Sequence, residues 1–81
     1  MNELERILLR LDAEGIAYLR KTLGVSQEKM ARSLGVSVQS VRRWEHDKAK
    51  PIQIIRREIG EVYGDVILSD PFYQKYLSMM E

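Results

Sequence analysis

Between positions 39 and 46, side chains able to form directed hydrogen bonds recur at short intervals: Gln39, Arg42, Arg43 and His46. At ~100° per residue they share one face of a helix whose opposite side carries Val41 and Trp44. A glutamine amide can bond an adenine edge through two hydrogen bonds, and an arginine guanidinium does the same to guanine. An apolar side chain such as Val38, on the flank near the helix tip, can touch a thymine methyl. The chemistry open to this cluster is recognition without bond-making. On an arbitrary helix the same residues would be ordinary solvated surface.

Catalysis has little to work with. The chain has no cysteine and one histidine, His46, which leaves no thiolate nucleophile, no thiolate metal site and no two-histidine arrangement. The acidic residues are scattered, with no paired carboxylates in an apolar setting. We expect no enzyme, no cofactor and no metal. His46, at a helix C-terminus, is a phosphate neighbour or plain surface, and the spacing of Trp44 from Val41 makes it a core anchor rather than a platform for a base.

With 81 residues, 44% of them apolar and 31% charged, the composition is that of one small soluble globular domain. No stretch approaches the ~18 apolar residues needed to cross a bilayer, and a start of Met-Asn-Glu-Leu-Glu-Arg is wrong for a secretory signal. A cytoplasmic location is expected. The formal net charge of +1 hides an asymmetry. Residues 20–57 hold ten basic side chains (Arg20, Lys21, Lys29, Arg32, Arg42, Arg43, Lys48, Lys50, Arg56, Arg57) against three acidic ones, a balance of +7, and the remainder carries −6. A basic middle between acidic ends points to a polyanion met by one face, or simply to a solvated face that keeps the domain soluble.

The elements that must position the cluster are helices. Leu4, Ile7, Leu8 and Leu11 mark a first amphipathic helix over residues 2–11. Asp12 caps a second one with Ile16, Leu19 and Leu23 inward, stopped by Gly24. Ser26 caps a third, with Met30, Ala31 and Leu34 inward, which Gly35 ends. Ser37 caps the fourth, which runs to about His46. Pro51 suits the first turn of a fifth, with Ile52, Ile55, Ile59 and Val62 at helical spacing, ending near Tyr63 before Gly64. Asp70 and Pro71 open a last helix, in which Phe72, Tyr76 and Met80 share a face beside Tyr73 and Leu77, while Tyr73, Tyr76, Met79 and Met80 can cover the core. The fold class is all-α, a compact bundle of five or six short helices.

A helix, a tight glycine turn and a second short helix make a helix-turn-helix, whose second helix lies in the DNA major groove. Small Ala31 suits the close crossing of the pair. The string SQEKMARSLGVSVQSVRRWE followed by HDKAKP resembles the lambda-repressor and Cro-type helix-turn-helix family, whose members show a similar Ser-Gln, Ala, Leu-Gly-Val-Ser, Trp-Glu and Gly-Lys-x-x-Pro pattern. The resemblance covers residues 16–63. It implies that Val38, Gln39 and Arg43 reach base edges, and that Gln27, Ser37, Ser40, Lys48 and Lys50 contact the DNA backbone, joined there by Arg42. Asp47 departs from the pattern by standing where the family usually has glycine. Glu45 needs a basic partner in a helix that approaches phosphates, and its place in the pattern pairs it with Arg20.

We expect a single domain over residues 1–81, made of a helix-turn-helix core at 12–63, an N-terminal helix at 1–11 and a C-terminal extension at 64–81. Three roles fit it. The first is a transcriptional regulator, acting as a repressor and a homodimer on a two-fold symmetric operator, with residues 52–80 as the apolar, acidic dimer surface. The second is a DNA-binding antitoxin that also masks a toxin partner. The third is a protein-interaction module that keeps the fold without DNA affinity.

Overall fold

A computed structural model describes residues 1–78, and every regular element among them is helical. The order is α1 (Glu3–Arg10), α2 (Ala13–Leu23), α3 (Gln27–Leu34), α4 (Val38–Glu45), α5 (Gln53–Ser69), a 3-10 turn (Pro71–Gln74) and α6 (Lys75–Ser78). The all-α expectation is met. Met79 and Met80 lie outside the described residues.

One unit of the chain, Asp12–Pro51, contains α2, α3 and α4. Each of its helices opens on a short polar side chain that accepts a backbone N–H three residues on: Asp12 from Gly15 at 3.0 Å, Ser26 from Lys29 at 3.0 Å, and Ser37 from Ser40 at 3.2 Å. Gly24 and Gly35 end α2 and α3 at φ 70° and 72°, a left-handed backbone that glycine adopts without steric cost. After Gly35, the Val36 N–H reaches back to the Ala31 carbonyl at 3.0 Å, satisfying an otherwise open helix end. Ile16, Leu19, Met30, Ala31, Leu34, Val41 and Trp44 are all buried, and α4 packs against both α2 and α3. Leu23, expected inside, is half-buried.

The other unit holds α1, α5, the 3-10 turn and α6. Here α5 departs from expectation. Gly64 does not end the helix, which runs on to Ser69. Both internal glycines of α5 face α1: a Cβ at Gly60 would lie 2.6 Å from Leu8 Cδ1, and one at Gly64 would lie 3.0 Å from Leu4 Cδ2. Glycine therefore serves close approach here and not chain reversal. Pro51 precedes the N-cap residue Ile52 instead of occupying the first turn. Ile52 and Val62, expected inward, are exposed, and the buried positions of α5 are Ile59, Gly64 and Ile67. Asp70 caps the 3-10 turn by accepting the Phe72 N–H at 3.0 Å, and the rings of Tyr73 and Tyr76 are buried and stacked 5.9 Å apart.

One member of the basic block has turned inward. Arg56 Nη1 donates to the Leu8 and Leu11 carbonyls at 2.6 and 3.1 Å, closing the C-terminal end of α1 with a charge of favourable sign. Burial lowers its pKa from the ordinary arginine value.

The two glycines of α5 should respond differently to a methyl group. Alanine adds about 1 kcal/mol of helix propensity at either, but at Gly60 it displaces the buried Leu8 side chain, whereas at Gly64 it meets only half-buried Leu4. Overpacking of a fixed neighbour costs about 1 to 3 kcal/mol. We expect Gly60→Ala to melt at lower temperature than the wild type and Gly64→Ala to match or exceed it. Equal melting of the two variants would show that close approach does not explain Gly60.

Candidate nucleic-acid interface

The turn after α3 sets the start of α4, whose buried Val41 and Trp44 fix its rotation. That rotation leaves Gln39, Arg42, Arg43 and His46 exposed, and together with Lys48 they line a shallow depression. Val38 and Ser40 are half-buried on the flanks, and Ser37 and Lys50 are exposed. Ser37 Oγ and Ser40 Oγ are 3.1 Å apart, so the two hydroxyls share a hydrogen bond at the helix tip. The side chains of Gln39, Arg43 and Lys48 have no hydrogen-bond or ion-pair partner among the described residues. Such polar groups, unpaired on a packed helix and on the corner that follows it, are available to a ligand.

Arg20 and Glu45 are joined edge to edge. Arg20 Nε donates to Glu45 Oε2 at 2.7 Å and Nη2 donates to Oε1 at 3.0 Å, a bidentate fork. A third donor of the guanidinium, Nη1, bonds the Val25 carbonyl at 3.1 Å. The side chains are only 18% and 8% exposed, which separates this pair from a solvated surface contact. Burial alone would push the Glu45 carboxyl up, but hydrogen bonds from Arg20 and Gln27 and the charges of Arg20 and Lys21 outweigh it and hold its pKa below the usual value. The hydrogen bond to Glu45 in turn raises the pKa of Arg20 against a smaller effect of burial.

Gln27, expected at a phosphate, has its amide between two side chains. Nε2 donates to Glu45 Oε1 at 3.2 Å, and Oε1 accepts from Arg42 Nε at 3.4 Å. Nothing local in the sequence signals this bridge, because its ends are 18 and 15 residues away from Gln27. Asp47 has φ 58°, the left-handed conformation that glycine takes most readily and aspartate tolerates. Its N–H bonds the Trp44 carbonyl at 3.2 Å, and the next N–H, of Lys48, bonds the Arg43 carbonyl at 2.8 Å, so the corner turns Lys48 back toward α4.

The basic block is less uniform than its sequence. Arg20 and Arg56 are committed to internal partners, while Lys21, Lys29, Arg32, Arg42, Arg43, Lys48, Lys50 and Arg57 are exposed. Among the described residues no group of three or more acidic or histidine side chains is placed to hold a metal, and no helix is long and apolar enough to cross a membrane.

Comparison with known proteins finds a match to a helix-turn-helix family model over residues 16–54, which runs from within α2 through α3, α4 and the corner after them to the start of α5. No curated protein and no solved structure matches the chain. Domains of this type serve DNA-binding transcription regulators in general. The capped helices, the left-handed glycine turn and the family match agree: residues 16–54 match the helix-turn-helix family, which supports the resemblance to its lambda-repressor and Cro-type members.

Proposed function

We propose that the protein binds double-stranded DNA sequence-specifically as a transcriptional repressor in the cytoplasm, and does so as a homodimer. The carrying observation is that α4 presents Gln39 and Arg43 outward, unpaired, beside exposed Lys48, within a matched helix-turn-helix. In this role α4 enters the major groove, with Val38, Gln39 and Arg43 at base edges. Ser37, Ser40, Arg42, Lys48 and Lys50 meet the phosphates and fix the register, with Gln27 behind Arg42. All nine lie within Asp12–Pro51. Two copies would place their reading helices on half-sites ~34 Å apart.

Selection of bound sequences from a random duplex library, followed by a salt titration on the winner, tests this. With three cationic phosphate contacts per subunit (Arg42, Lys48 and Lys50), log affinity should fall with log salt at a slope of about −3 for one subunit and about double for two. Lys48→Ala and Lys50→Ala should each weaken all sequences alike and flatten the slope by about one. Affinity that ignores salt, or selection that enriches nothing, would refute the proposal.

An antitoxin role is favoured by one observation, the outward face of α5. Exposed Ile54, Val62 and Leu68 stand there among exposed Glu58, Glu61 and Asp65, a surface suited to a basic protein partner. Copurification of a small basic protein would separate this role from that of a simple repressor.

A further inference from the structure

Arg42 and Arg43 are adjacent in sequence and equally cationic, yet their surroundings differ. Around the axis of α4, Arg42 lies about 60° from Glu45 on one shoulder, and Arg43 lies about 100° further on, toward the other. Only Arg42 is tethered: its Nε donates to Gln27 Oε1 at 3.4 Å, and the same amide gives its Nε2 hydrogen to Glu45, which Arg20 holds in a bidentate fork. The amide can face only one way here, because a carboxylate takes a donor and a guanidinium takes an acceptor. The chain Arg20, Glu45, Gln27, Arg42 thus runs from a largely buried ion pair to an exposed arginine on the reading helix.

We infer that Gln27 is a positioning residue that acts on DNA through Arg42. By drawing that guanidinium toward the N-terminal end of α3, it assigns Arg42 to the DNA backbone and leaves Arg43 as the arginine that reads bases. This rests on the DNA-binding role proposed above and deepens it. A direct Gln27–phosphate contact is the rival account, and the two differ in additivity.

The test has two parts. In the free protein, ¹⁵N relaxation of the arginine side chains should show Arg42 Nε–H more ordered than Arg43 Nε–H, with Gln27→Met lowering Arg42 to the level of Arg43. Equal mobility in the wild type overturns the inference without reference to DNA. On the selected duplex, Gln27→Met should weaken binding about threefold to tenfold in the wild-type background and by less than about twofold in an Arg42→Ala background, the non-additivity expected of two residues acting as one. Equal effects in both backgrounds would mean that Gln27 meets DNA by itself. Urea titration of each variant separates a loss of folding from a loss of positioning. Absence of any salt-dependent binding by the wild type would remove the DNA-binding proposal, whereas the relaxation experiment would still decide the tether.

Discussion

Arg20→Ala will lower folding stability by about 3 kcal/mol, the loss associated with stranding one member of a largely desolvated ion pair. The removed guanidinium supplies two bonds to Glu45 and one to the Val25 carbonyl, and Glu45, 8% exposed, would keep only the Gln27 amide. A surface pair would cost well under 1 kcal/mol, so urea titration distinguishes the two cases. Arg20→Lys should recover only part of the loss, because an ammonium keeps the charge but cannot form the planar fork. The pH dependence follows from the depressed pKa of Glu45. A carboxyl that is more acidic folded than unfolded contributes stability above its ordinary pKa of 4.5 and loses it as pH falls through the lower, folded value. Wild-type stability should therefore decline below about pH 4.5, and Glu45→Gln should flatten that decline. An Arg20→Ala variant with wild-type stability would show the pair to be energetically idle.

Arg43→Ala and Gln39→Ala will each weaken binding to the selected site by about 1 to 3 kcal/mol while barely affecting a scrambled duplex. Both side chains are exposed and unpaired among the described residues, so truncation removes no internal contact and folding should change little. What is lost is a donor pattern matched to one base edge, and selectivity should relax at one position per half-site. The contrast with Lys48→Ala, which should lower all affinities together, separates reading from anchoring. If either variant kept the wild-type ratio of selected to scrambled binding, that residue would not read bases.

How far the sequence speaks depends on the range over which a residue acts. Asp12, Ser26 and Ser37 announce their helices because a cap bonds a backbone group three residues away, and Gly24 and Gly35 announce the ends because left-handed backbone is a local demand. Gly64 misleads for the opposite reason. The residue type is the same, but what requires it is Leu4 in a distant helix, which no local pattern discloses. In the sequence Arg56 belongs to the basic block that suggests a polyanion face, because a charge in a sequence has sign without direction, and only the fold turns it to the end of α1. In the candidate site, periodicity sufficed to place Gln39, Arg42 and Arg43 outward. The pairing of Arg20 with Glu45 came from family resemblance, and the Gln27 bridge was invisible to both.

Asp47 carries a consequence in the time domain. An exposed carboxylate at the left-handed corner beside Lys48 would, in the proposed DNA-binding role, repel every duplex alike, whatever its sequence. On DNA, sequence-independent electrostatics govern how long a protein lingers at wrong sites, and those vastly outnumber the right one. In that role an acid at this corner would shorten each such stay without touching base recognition. If the protein binds DNA as proposed, it would sample more sites per unit time than a variant with glycine there, at the expense of a shorter residence on its preferred site.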